Sequence, residues 1–121
     1  PGPHPLVDLI GSRLDLTWIT SAVNPAYGPD DRDFHADWFT PVLPDRQPPA
    51  HALILDDTWT TGARVQSLAY ALKTAGVSTV TAVVLGRHVD TTYPPSARLL
   101  NAIAKPVFDT TRCVACLDSA R

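Results

Sequence analysis

The hydrophobic positions change spacing along the chain, and each change marks an expected element. Leu6, Val7, Ile10 and Leu14 recur at helical intervals, so residues 5–13 predict a short amphipathic helix. Leu14, Leu16 and Trp18 then alternate with polar residues, which predicts a strand over 14–22. Residues 51–56 form a continuous apolar run of the kind that suits a strand covered on both faces. From Ala63 to Ala75 the pattern returns to a helical stripe through Val65, Leu68, Leu72 and Ala75, with Gly76 placed to end it. Residues 78–86 are β-branched and apolar, another buried strand, and 95–104 predict a last helix opened by Pro95 or Ser96.

Strand, tight turn, helix and strand thus follow one another in about 35 residues from His51 to Gly86. Such a unit closes as a right-handed βαβ crossover and implies an α/β fold, a doubly wound, mostly parallel sheet with helices on both faces. Ligands of such sheets bind beyond the carboxyl ends of the strands. Between the first two strands, residues 23–50 read as one long loop. It holds six of the 12 prolines and the acidic positions Asp30, Asp31 and Asp33. Phe34, Trp38 and Phe39 are too apolar for a solvated tether, so this loop is expected to fold back over something.

Composition narrows the range of functions. At 121 residues and 45% apolar the chain predicts a single globular domain, 1–121, ending in a tail at 105–121. No apolar run approaches the roughly 18 residues of a membrane span. The net charge of -2 argues against a nucleic-acid binder, which needs a basic face. All 12 acidic residues are Asp, and the absence of Glu excludes the HExxH zinc hydrolases and the EF-hand. Cys113 and Cys116 form one CxxC in the tail. Three roles stay open for them: inert thiols, half of a zinc site completed by residues outside this chain, or a redox pair. Two cysteines without a secretion signal point to a reducing cytoplasm.

The chemistry concentrates at Asp56, Asp57, Thr58, Trp59, Thr60, Thr61, Gly62, Ala63 and Arg64, where the strand expected at 51–56 turns into the following helix. Amides at a helix N-terminus cradle a phosphate with the helix dipole behind them. Thr60 and Thr61 add hydroxyls, and Gly62 allows close backbone approach. Asp56 and Asp57 would repel a bare phosphate, but they suit ribose hydroxyls or a divalent cation. The turn therefore calls for an anion at one end and hydroxyls or a metal at the other. A purely structural turn with solvated carboxylates is the competing reading.

The run from Leu53 to Ala63 resembles the phosphoribosyl pyrophosphate (PRPP) motif of type I phosphoribosyltransferases: an apolar strand, two acidic residues, two variable residues and a small-residue, Thr and Gly turn. With its βαβ surroundings the resemblance covers roughly a third of the chain. It implies a transferase, a glycosyltransferase of nucleotide metabolism, that moves a phosphoribosyl group from Mg²⁺–PRPP to a nitrogen nucleophile and releases pyrophosphate. It also implies that Asp56 and Asp57 hold the ribose hydroxyls near Mg²⁺ and act in catalysis. The turn from Thr58 to Arg64 would hold the 5′-phosphate, with Thr60 and Thr61 closest. Arg64 stands where Ser or Thr is usual, and it is expected either to face the phosphate or to point into solvent. Thr60 replaces the Asp base of 6-oxopurine enzymes, which disfavours hypoxanthine or guanine as acceptor and is closest to competence-associated (ComF-type) members.

The family's pyrophosphate loop has no convincing counterpart; Thr20 to Asn24 is the nearest. That gap and the absence of Met point to an N-terminally truncated fragment. Phe34 to Phe39 would then correspond to the hood that closes over substrate. A non-catalytic PRPP or nucleotide sensor, or an accessory protein on the same fold, is the alternative function. A base or amine co-substrate is the implied partner, together with a possible homodimer. Arg87 and His88, at the same sheet edge as the turn, could meet pyrophosphate or base, or be a solvated loop.

Overall fold

A computed structural model describes residues 5–11, 13–43 and 47–103. Its elements in chain order are α1 (Pro5–Gly11), β1 (Thr20–Val23), β2 (Phe39–Val42), β3 (His51–Trp59), α2 (Ala63–Thr74), β4 (Thr79–Arg87) and α3 (Pro94–Ile103). The chain divides between His88 and Val89 into two compact units. The tail at 105–121, with Cys113 and Cys116, lies outside the described residues, as does Ala104 at the end of the expected last helix.

The first unit is organised around β3, α2 and β4. The two strands run parallel in continuous register from His51 opposite Thr79 to Trp59 opposite Arg87. The His88 N–H extends the ladder by donating to the Trp59 carbonyl at 2.8 Å. Good helix formers fill α2, and Ala63, Val65, Ala71 and Leu72 point into the core. Gly76 ends the helix at a φ of 100°. Its N–H donates to the Lys73 carbonyl and that of Val77 to the Leu72 carbonyl, both at 3.0 Å, the two bonds of a Schellman motif. Leu72 and Val77, which flank this cap, are both buried and join Ala52, Ile54 and Val65 in one cluster. Ile19, Leu43, Trp59, Leu68, Ala69 and Val80 pack around it. A helix-period stripe and two strands of β-branched and aliphatic residues therefore form the elements the sequence pattern predicts, although β4, expected to be buried, is exposed at most of its positions.

Two expectations change. The alternation at Leu14, Leu16 and Trp18 does not make a strand; those three side chains are exposed, and β1 starts at Thr20, where a partner exists. An alternating segment becomes a strand only when another backbone takes its hydrogen bonds, and that partner comes from within the expected long loop. Phe39–Val42 forms β2 and pairs antiparallel with β1, Thr20 opposite Val42 and Val23 opposite Phe39. Pro41 fits there because each strand of a two-stranded sheet has one edge that needs no donor.

The fold is mixed α/β. The described strands form two separate two-stranded sheets, β1–β2 and β3–β4, and the single parallel crossover is β3–α2–β4. Helix α2 packs on β2, β3 and β4. On the other face of β3–β4, Leu53, Val83 and Leu85 are 48%, 45% and 68% exposed, so α2 covers one face of this pair and not both. In the second unit, Asp90 organises the turn before α3: its carboxylate accepts from the Thr92 N–H at 2.8 Å and the Thr92 hydroxyl at 2.6 Å. α3 matches the helix expected at 95–104 as far as Ile103, and among the described residues no helix is long and apolar enough to cross a membrane.

Candidate functional site

The acidic pair lies inside β3 rather than at its end. The strand runs on through Thr58 and Trp59, paired with Gly86 and Arg87, and the turn proper is Thr60, Thr61 and Gly62. Asp56 is half-buried and Asp57 exposed. Gly62 takes the left-handed conformation, φ 79°, immediately before α2. The Trp59 ring lies so close over it that a Cβ at this position would collide with the indole. Glycine is thus required twice, for its backbone angle and for the ring above it. Thr61 closes the turn: its hydroxyl oxygen accepts from the Ala63 N–H at 3.3 Å. The Gly62 carbonyl accepts the first helical bond, from the Gln66 N–H at 2.9 Å. The remaining first-turn amides of α2 belong to the group a helix cannot satisfy internally, and with the dipole they favour an anion.

The segment between β1 and β2 forms the opposite wall. It does fold back, and it docks on the start of α2. The Thr61 hydroxyl donates to the Arg32 carbonyl at 3.1 Å. The Arg64 guanidinium donates to the Pro29 carbonyl at 2.7 Å and sits 5.3 Å from the centre of the Trp38 ring. Further along α2, the fully buried Ser67 hydroxyl accepts the His35 N–H at 3.0 Å. Trp38, only 1% exposed, is the hydrophobic anchor of this segment. Tyr27 stacks on the His35 ring with centroids 3.9 Å apart, and Phe34 meets Tyr70 of α2 edge-on. At the base, the Tyr27 hydroxyl donates to Asp37 at 2.6 Å and the Asn24 amide donates to the same carboxylate at 3.2 Å.

These bonds shift three ionisations. The Asp33 N–H donating to Asp31 is the largest cause of that carboxyl's falling below its ordinary range, and the His35 ring 3.0 Å away adds to it. Asp37 is lowered chiefly by the Tyr27 hydroxyl, and the same bond raises the Tyr27 phenol.

Between the two walls lies a cleft of about 180 Å³, lined by Asp56, Asp57, Thr58, Thr60, Thr61, Gly62, Ala63, Arg64 and Val65 on one side and Asp31 and Arg32 on the other. The residues singled out in sequence therefore share one cleft, apart from Trp59, whose ring covers Gly62. Arg64 is exposed and lines the cleft, while its Nη2 is bonded to the loop. Trp38 and Phe34 are packing residues, and Arg87 and His88 continue the β4 edge beside Trp59 without lining the cleft. Asp31 and Arg32 were missed as site residues; the only signal was the acidic run within an aromatic-rich loop.

Three carboxylates and two guanidinium groups line the cleft. Its acidic side suits hydroxyls or a hydrated cation, and its turn and arginines suit an anion. Among the described residues no three His, Cys or Asp side chains form a direct metal cage. The Asp56 and Asp57 pair fits Mg²⁺ held through water and ligand oxygens, the usual habit of that ion. An apolar recess of about 150 Å³ adjoins the cleft, sharing Asp56, Arg64 and Val65 and adding Phe39, Ile54, Leu55 and Leu68. No protein-family model, curated protein or solved structure matches this chain.

Proposed function

We propose that the chain is a phosphoribosyltransferase of type I character that takes Mg²⁺–PRPP in this cleft and transfers the phosphoribosyl group to a nitrogen nucleophile. The observation that carries the reading is the convergence of Asp56, Asp57 and the Thr60–Gly62 turn on one cleft at the start of α2. In this reading the 5′-phosphate rests on the turn and the ribose hydroxyls on the carboxylates. The nitrogen lone pair attacks the anomeric carbon as the bond to pyrophosphate breaks, pyrophosphate leaves with that electron pair, and the nitrogen proton passes to solvent. Asp56 and Asp57 stabilise the cationic ribose that develops, and the anchored phosphate turns remote binding energy toward the transition state. Asp56 and Asp57 would hold Mg²⁺ through water and ligand oxygens, and the ion would supply positive charge to offset the pyrophosphate. The finer fold, a doubly wound sheet of which β3–α2–β4 is the ligand-binding crossover, belongs to the same proposal, as do a cytoplasmic location and a homodimer.

One observation favours a second reading. At about 180 Å³ the cleft is smaller than the roughly 300–1,000 Å³ of common small-molecule sites, enough for a ribose phosphate but not for PRPP with an acceptor. A sensor that binds PRPP or a nucleotide without turnover needs no acceptor beside its ligand and so demands less room than the transferase.

Calorimetric titration with PRPP, with and without Mg²⁺, tests both readings against the Asp56→Asn/Asp57→Asn variant. Magnesium-dependent binding that the variant loses is the expected result, and turnover with a panel of bases then separates enzyme from sensor. Absence of binding by folded protein would overturn both.

A further inference from the structure

Two arginines line the cleft, and the structure gives them different tasks. Arg64 is committed: its Nη2 donates to the Pro29 carbonyl at 2.7 Å and reaches toward Gly28 at 3.5 Å, while its planar group lies against Trp38. Arg32 approaches the same oxygen from the loop side, with Nη1 3.1 Å from the Pro29 carbonyl and 3.4 Å from that of Asp31. Each arginine uses a single nitrogen of a group with five N–H donors, and both side chains are exposed; what separates them is the shorter Arg64 bond, 2.7 Å against 3.1 Å, and the place of Arg64 over Trp38. The Arg32 main chain is fixed independently, because its carbonyl takes the Thr61 hydroxyl bond. Two cations held at one carbonyl oxygen, beside amides at a helix start, repel each other until an anion separates them.

We infer that Arg32, and not Arg64, is the side-chain cation that meets a phosphate of the ligand, Arg64 being the positioning residue that holds Arg32 in the cleft wall. The inference rests on the phosphoribosyl reading and adds to it a binding residue from the loop. It also accounts for an arginine where the motif has Ser or Thr: at that place Arg64 fastens the second wall, and the charge for the ligand comes from Arg32.

The two sources of phosphate are separated by titrating ribose 5-phosphate and Mg²⁺–PRPP into wild type, Arg32→Gln, Arg32→Lys and Arg64→Gln. Hydrogen exchange at residues 28–35 is followed in parallel. Arg32→Gln should weaken binding roughly tenfold, the loss of one charge-assisted hydrogen bond, and Arg32→Lys should restore most of it. Loss with both ligands places Arg32 at the 5′-phosphate, and loss with PRPP alone places it at the pyrophosphate; either supports the assignment. Arg64→Gln should speed exchange across 28–35 by more than Arg32→Gln does. Wild-type binding that Arg32→Gln does not alter overturns this inference and leaves the phosphoribosyl reading standing. Unchanged exchange in Arg64→Gln overturns the positioning role. Wild type that binds neither ligand overturns the reading itself and the assignment with it.

Discussion

The two walls of the cleft are built by opposite means. One is a single local run, Asp56 to Val65, in which strand, turn and helix are covalently consecutive and a left-handed glycine makes the corner. The other is the segment between β1 and β2, held by bonds that span 29 residues from Arg32 to Thr61 and 32 from His35 to Ser67. A wall of the first kind keeps its shape as long as the strand and helix exist. A wall of the second kind depends on a few contacts, with closure of the intervening chain opposing it. The turn is therefore the rigid partner of the ligand, and the loop is the partner whose position is set by Trp38, Arg64 and Ser67.

The contrast can be broken at several points. Trp38→Ala removes the buried anchor of the loop wall and should cost about 3–5 kcal/mol in denaturant unfolding, the range for truncating a buried aromatic. The start of α2 should keep its amide protection in that variant. Losing protection in both walls together would show that they fold as one. Asp56→Asn/Asp57→Asn attacks the rigid wall's chemistry without its shape. Mg²⁺–PRPP binding should fall by about a hundredfold or more, near 2.7 kcal/mol, with little change in melting temperature. Of the single variants, Asp57→Asn should weaken binding more than Arg64→Ala, since Arg64 acts through the loop. Gly62→Ala strains the corner by about 1–3 kcal/mol through its positive φ and the Trp59 collision. Combining it with Trp59→Leu should recover the collision's share, as a double-mutant cycle would measure.

The smallest effect is a pH dependence confined to the loop wall. Asp31 and Asp37 ionise below their ordinary range, so their contribution is present above the unfolded carboxyl value and fades as pH falls through the lower folded values. Tyr27 is raised, so its contribution holds below about pH 10 and fades as pH rises through the folded value. Exchange protection at residues 24–38 should therefore decline at both extremes before that of α2 does. Asp37→Asn should remove most of the alkaline limb.

What was legible in the sequence follows the same division. Helix α2, its Gly76 cap and the strands β3 and β4 rest on periodicity and on a turn that neighbouring residues dictate. Their existence and order could be read directly, to within a residue or two except where β3 runs past the acidic pair to Trp59. The loop wall could be read only as something that folds back, because its partners lie some 30 residues away and no local pattern names them. Leu14 to Trp18 shows the reverse error, a period-two pattern with no backbone beside it. Arg64 shows the limit within the motif: its position was plain, but its direction was fixed by Pro29 and Trp38.

The uncovered side of β3–β4 has a consequence that calorimetry can read. Leu53, Val83 and Leu85 keep much of their apolar surface in water while the chain is folded. The share of that surface already hydrated in the folded chain adds nothing to the heat-capacity change on melting. The heat-capacity step on unfolding should accordingly fall below the common 12–15 cal/mol/K per residue. The stability curve should be correspondingly flat, with the protein losing little stability on cooling.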